Sequence, residues 1–261
     1  MIKGLYKELL IVIGAFLIGW LAFTLFRWVP DAPELSVSVE TEQELGDLLA
    51  DQVLREYEAV ENDTVSEAIL TIKKRLLTAI GPTNYDYQLH VLNEPEVNAF
   101  ATMGGHIFIF SGIIRLSENP EELAAVLAHE MGHVEERHVV NKILKDLGIN
   151  VVFSILTGSD PVLVGEIAKA TISSSFDRTQ ETSADQFALK TLEEAAISPR
   201  YVSTIFRRLK EKYGEGDDRL DFLMSHPNLN KRIKEALEYP LKENFEAEPM
   251  NIDWELVKSA L

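Results

Sequence analysis

Cysteine is absent from the chain, so neither a disulfide framework nor a structural cysteine cluster can hold it together. Basic residues are scarce: 42 acids stand against 25 bases, a formal charge of −17, and no run of lysine and arginine is interleaved with aromatics. That balance repels phosphate backbones and excludes nucleic acid as a partner. Between Asp31 and Asp63 the only base is Arg55, which rules out a polybasic peripheral membrane anchor. There is no internal repeat and no low-complexity segment. At 261 residues the chain can support one sizeable core, enough for a complete small enzyme.

One long apolar run is present. Leu9 to Phe26 carries no charge, includes Trp20 and is followed by Arg27-Trp28. With Val29 and the flanking turn it is just long enough to cross a hydrocarbon core of about 30 Å. Lys3 and Lys7 precede it and acids follow it, so a cytoplasmic N-terminus and a main domain on the periplasmic or extracytoplasmic side are expected. A cleaved signal peptide fits less well, because the run is long and Ala22-Phe23-Thr24 is a poor cleavage site. A buried globular helix would show a polar face, which this run lacks.

Periodicity organises the rest. Leucine and valine at helical spacing predict a helix from Thr41 to about Val60, capped by Thr41 with Glu44, and a second from about Val65 to Ile80, stopped by Gly81-Pro82. From Tyr85 to Leu116 the period changes, and YDYQLHVLN, VNAFATM and HIFIFSG predict about three strands. Asn119, Pro120 and Glu122 are the start signals of a helix expected to continue to about Lys145. An apolar segment, Ile149 to Leu156, is too short to span a bilayer and reads as a buried helix or a flap. Further helices are expected near Val162–Ser173, Arg178–Ala196, Arg200–Lys212 and Lys231–Glu238, then a glutamate-rich tail loosely docked by Trp254.

Within the helix after Asn119, residues 129–133 read His-Glu-Met-Gly-His. Positions four apart share a helical face, so His129 and His133 can point two imidazoles at one zinc ion, with Glu130 beside them to reach its water. A hydrolytic zinc needs a third protein ligand and an open fourth position. The metzincin extension of the motif is absent, since Glu136 and Val139 occupy its places, and His138 lies about 140° further round a continuous helix, which suits a supporting or packing role. Glu181 and Asp185, one turn apart, are the strongest downstream pair: Glu181 can complete a His-His-Glu set and Asp185 can accept the remaining ring proton of a ligand histidine. Glu193-Glu194 is the rival pair, at a helix end. Glu130 is the candidate general base, and His226, in Ser225-His226-Pro227, is a candidate donor to the oxyanion, with Arg232 placed to hold a carboxylate or assist. The strand after Gly105, with His106, Ile107, Phe108 and Ile109, is expected to offer an exposed edge to an extended peptide.

Four elements in this order resemble the HtpX/Oma1/BepA type of zinc metallopeptidase, the family-48 gluzincins. They are Asn98–Gly112 (NAFATMGGHIFIFSG), Glu121–His138, Glu181–Asp185, and SHPNLNKRI from Ser225 to Ile233. The likeness covers about Glu40 to Tyr239; Met103 stands where the family often has proline. The resemblance implies an α+β fold, a mainly helical zincin-like domain with a small antiparallel or mixed sheet next to the His-Glu helix, to which the apolar run adds the expected N-terminal transmembrane helix. It implies one zinc per chain on His129, His133 and Glu181, with Glu130 as base, Asp185 and His138 behind the ligands, and His226 and Arg232 near the transition state. The implied activity is endoproteolysis of misfolded or damaged membrane or envelope proteins; an organellar location also remains open. The expected divisions are 1–30 anchor, 31–40 linker, 41–240 peptidase domain and 241–261 tail. Two other classes stay open: a catalytically silent, zinc-stabilised scaffold on the same fold, and a metal-free tethered binding protein.

Overall fold

The structure is a computed structural model that describes residues 13–21, 37–148, 154, 158, 161–172, 175–213, 226 and 229–261. The chain divides into two units, Met1–Ser36 and Val37–Leu261. In the first, residues 13–21 form a helix on which Phe16, Leu17, Ile18 and Trp20 are exposed. Among the described residues no helix is long and apolar enough to cross a membrane. This corrects the expected single-pass span, which no helix among the described residues supports. The membrane partner and the topology built on that span are withdrawn with it. Residues 1–12 and 22–36, which hold the remainder of the expected anchor and most of the linker, lie outside the described residues.

The second unit begins with two helices. Helix α1 (Val39–Glu56) starts where the Ser38 hydroxyl accepts from the Thr41 amide, a cap three residues earlier than the expected Thr41. It buries Leu45, Leu49 and Val53 on one face. Helix α2 (Asp63–Ile80) is capped by Asn62, whose side chain accepts from Thr64 and Val65, and ends at Gly81 with φ 81°.

Strands β1 (Gln88–Leu92), β2 (Ala99–Ala101) and β3 (His106–Phe110) form one sheet in the order β1-β3-β2. β1 runs parallel to β3, with Leu89 opposite Ile107, and β2 runs antiparallel to it, with Phe100 opposite Phe108. β3 is therefore the central strand, hydrogen-bonded along both sides and buried throughout. The expected peptide-binding edge at Gly105–Ile109 does not exist: its main-chain groups are already spent on two neighbours. The free edge nearest the His-Glu helix belongs to β2.

Short helix α3 (Ser111–Leu116) leads to α4 (Pro120–Glu135), where the Asn119 side chain accepts from the Glu122 amide at 3.0 Å. The helix expected to run on to Lys145 breaks instead. Arg137 adopts a left-handed backbone, φ 55°, and α5 (His138–Leu147) starts in a new direction. Buried Glu42 secures the break by accepting from Arg137 Nε at 3.0 Å. Helices α6 (Pro161–Ile172), α7 (Arg178–Glu194), α8 (Arg200–Tyr213), α9 (Leu229–Glu238) and α10 (Trp254–Ser259) complete the unit. The tail is firmly docked, with Trp254 buried and its indole N–H donating to Ser117 O at 2.9 Å. The candidate flap, Ile149–Leu156, lies outside the described residues except for Ser154.

Candidate metal centre

The centre is assembled where α4 and α7 pack against each other. Small residues allow that approach: a Cβ on Gly132 would stand 3.0 Å from Ala184 O and 3.1 Å from its Cα. Gly132 lies inside the His-Glu-Met-Gly-His turn, so the same glycine that closes the helix pair brings the α7 carboxylates to the α4 histidines.

His129, His133, Glu181 and His226 are all buried, and one candidate ligand atom from each lies within 4.8 Å of the others. His129 Nε2 and His133 Nε2 are 3.1 Å apart. Glu181 Oε1 is 3.4 Å from His133 Nε2, and Oε2 is 3.7 Å from His129 Nε2. The carboxylate expected to arrive from a distant helix is within bonding reach of both rings.

Behind His129, Asp185 Oδ1 lies 3.0 Å from Nδ1. A carboxylate only accepts, so this pairing puts the ring hydrogen on Nδ1 and a lone pair on Nε2. Arg232 ties the two α7 carboxylates together. Its Nε and Nη2 meet Asp185 Oδ2 and Oδ1, each at 2.7 Å, and its Nη1 lies 2.7 Å from Glu181 Oε2. The guanidinium is itself buried, 4.3 Å from the ring centroid of Phe206. Arg232 also reaches the His226 main-chain carbonyl through Nη1 at 3.4 Å and lies 3.2 Å from His129 Nδ1 through Nη2, so it is held on several sides at once beside Glu181 and Asp185.

Glu130 faces the other way. Its Oε2 accepts from the Ala101 amide of β2 at 2.9 Å, while its Oε1 is buried without a hydrogen-bond donor among the described residues. His226 Nε2 is 3.6 Å from that oxygen, and His226 Nδ1 is 2.9 Å from Glu181 Oε1 and 3.2 Å from His129 Nε2. The sequence placed His226 near a reacting carbonyl; the structure places its Nδ1 inside the ligand ring. Ser225 and Pro227, on either side of it, are outside the described residues.

Burial and charge act against each other here. Burial would raise the Asp185 carboxyl, but the Arg232 guanidinium and the His129 contact outweigh it and hold the group at about 2. Glu181 is likewise driven well below the usual carboxylate range, its burial overcome by His226, His133 and Arg232. Glu130 moves upward because burial dominates, with His226 and His129 offsetting only part of it. Burial also pushes His133 well below its ordinary value. A neutral His133 and a charged Glu181 are the protonation states in which these two groups can hold a cation, with Glu130 raised in basicity beside them.

The donor set tests whether an ion fits. Imidazole nitrogens with lone pairs facing one another, beside an ionised carboxylate, are mutually repulsive unless a cation lies between them. Nitrogen and oxygen donors in this mixture suit zinc.

Four contributors carried no signal that stood out in the sequence. The Ala101 amide anchors Glu130; Phe176 stacks on His133 with centroids 4.0 Å apart; Phe206 lies against Arg232; and Ser183 touches His138 at 3.2 Å. The strand that holds Ala101 was recognisable from its alternation, but which amide faces the helix depends on sheet order.

The fold and the site together define a mostly helical domain with one buried His/His/Glu cluster, built on a His-Glu-x-x-His helix, that is suited to hold a metal ion. Residues 65–240 match peptidase family M48, and the chain belongs to that family. It is 31% identical over 173 residues to the mitochondrial metalloendopeptidase OMA1 of Schizosaccharomyces pombe, covering 64% of this chain and 51% of that one. To the beta-barrel assembly-enhancing protease of Yersinia pestis it is 25% identical over 214 residues, covering 77% of this chain and 44% of that one. To the metalloprotease LoiP of Escherichia coli it is 28% identical over 173 residues, 62% of this chain and 68% of that one. The chain thus spans about half the length of the first two of these relatives.

Proposed function

We propose that this chain is a zinc-dependent endopeptidase that cleaves extended or unfolded polypeptides, with His129, His133 and Glu181 holding one zinc ion. The carrying observation is the convergence of those three side chains beside Glu130, whose Oε1 is buried and lacks a donor among the described residues. A bound zinc would supply Lewis acidity, making water a better nucleophile at neutral pH and polarising the scissile carbonyl.

The chain's own groups do the rest. Glu130, anchored through Oε2, uses Oε1 to take the proton of the attacking water and pass it to the leaving amine. Burial would lower the His226 imidazole, but the Glu181 and Glu130 carboxylates outweigh it and raise it, so as an imidazolium with Nδ1–H towards Glu181 its Nε2–H is the candidate donor to the developing oxyanion. Asp185 and Arg232 position His129 and Glu181. The substrate strand is reassigned from β3 to β2. Asn98 and Thr102 pair with β3 through Phe110 N–Asn98 O and Thr102 N–His106 O, so by antiparallel alternation Ala99 and Ala101 direct their main chain away from the sheet. The Ala101 amide is held by Glu130, so an extended peptide meeting that edge would pair with the Ala99 amide and the Ala99 and Ala101 carbonyls, lie against Glu130 and be recognised by its backbone, which gives wide sequence tolerance. Misfolded or damaged membrane and envelope proteins are the proposed natural substrates.

One observation favours a second reading. With His226 the ring holds four donors, the number that fills a tetrahedral structural zinc and leaves no open position. A catalytically silent, zinc-stabilised scaffold would look like this, although it would have no use for Glu130. Unfolded casein incubated with the zinc-loaded chain separates the two. The peptidase reading expects new N-termini that vanish with a chelator and with Glu130→Gln; intact casein under all conditions supports the scaffold.

A further inference from the structure

The two histidines of the centre are backed differently. Behind His129 stands a carboxylate, whereas behind His133 stands a line of neutral groups. His133 Nδ1 is 3.0 Å from His138 Nδ1, His138 Nε2 is 3.2 Å from Ser183 Oγ, and Ser183 Oγ is 3.1 Å from the main-chain carbonyl of Gln180. The helix break at Arg137 makes this possible, because on an unbroken helix His138 would point well away from His133.

In such a line every hydrogen must run the same way. A carbonyl only accepts. When the Ser183 hydroxyl donates to Gln180, its oxygen receives the His138 Nε2–H. A neutral imidazole protonated at Nε2 has its lone pair on Nδ1, which receives the His133 Nδ1–H. His133 is then left with a lone pair on Nε2, the atom that faces His129 Nε2 at 3.1 Å. With the line reversed, Ser183 donates to His138, His138 Nδ1–H donates to His133, and the His133 hydrogen sits on Nε2, where it blocks an ion. Both directions hold the same number of protons and no net charge.

We propose that Ser183, acting through His138, is a positioning residue that fixes His133 in its metal-binding tautomer. This deepens the metallopeptidase reading and rests on it for the identity of the ion. Ser183 lies between Glu181 and Asp185 on α7, so a single helix supplies a carboxylate to the ring, a carboxylate behind His129 and the hydroxyl that ends the line behind His133. A neutral relay also suits the electrostatics. Glu130, Glu181 and Asp185 are already buried together with Arg232, and a fourth carboxylate would add uncompensated charge.

The test uses the full chain, with Zn2+ affinity measured by competition against a chromophoric chelator and imidazole tautomers read from 15N chemical shifts. In the zinc-loaded wild type His138 is expected to carry its hydrogen on Nε2. Ser183→Ala should weaken zinc binding about 10- to 100-fold and move the His138 hydrogen to Nδ1 in the zinc-free protein. Ser183→Thr, which keeps the hydroxyl, should restore both. A His138 hydrogen on Nδ1 in the zinc-loaded wild type overturns the proposal without any variant. So does a Ser183→Ala chain whose affinity stays within twofold, or one whose loss Ser183→Thr fails to restore. A wild-type chain that takes up no zinc counts against the peptidase reading, and the zinc-free tautomers of wild type and Ser183→Ala still decide the relay.

Discussion

The Ala101 amide donates to Glu130 Oε2 at 2.9 Å, so the edge strand of the sheet holds one oxygen of the candidate base and leaves the other facing the centre. A carboxylate fixed in this way has a single direction in which to act.

Replacing that base isolates its chemistry. In Glu130→Gln the amide oxygen can keep the Ala101 contact, so folding and zinc content should match the wild type while kcat on casein falls by about 10²- to 10⁴-fold. Zinc analysis and single-substrate kinetics on the same preparation check this; a variant with more than a tenth of wild-type kcat would remove Glu130 from the reaction.

Gly132 should tolerate no large side chain. Gly132→Leu forces α4 and α7 apart at Ala184, with an expected cost of about 1–3 kcal/mol from overpacking. Because Glu181 rides on α7, zinc affinity should fall with it. Denaturant melts and metal titration report the two losses, and an unchanged zinc affinity in a folded Gly132→Leu chain contradicts the proposed role of this helix contact.

Asp185 should make the zinc-free chain acid-sensitive. Its folded value, about 2, lies below the ordinary 3.8. A depressed carboxylate contributes stability above its unfolded value, and that contribution is lost as pH falls from about 4 through about 2. The amount is roughly 2 kcal/mol. Urea melts of wild type and Asp185→Asn should therefore differ most at neutral pH and converge towards pH 2; parallel curves across that window contradict the assignment.

Most of the centre was legible because it depends on local rules. The four-residue spacing of His129 and His133, the Asn119-Pro120 helix start and the pairing of Glu181 with Asp185 are periodicity and capping, which a sequence displays directly. What escaped it was relational. HIFIF reads as a strand in any position, and only sheet order makes β3 central and leaves β2 at the edge. Arg137 carries no sign of a left-handed backbone, since the Glu42 that secures it is nearly a hundred residues away; hence the direction of His138 was reckoned on a continuous helix that the structure breaks. The apolar run after Leu9 has the composition of a span, but among the described residues its helix covers only 13–21. His226 was singled out by chemistry as a candidate, while its place beside His129 and Glu181 is a long-range contact that periodicity does not display.

The claim on which the rest depends is that Glu181 is the third ligand, and zinc content measured on purified chains tests it most directly. One zinc per wild-type chain, with occupancy and casein cleavage both lost in Glu181→Gln, is the predicted result. Full zinc occupancy and undiminished cleavage in a folded Glu181→Gln chain would contradict it.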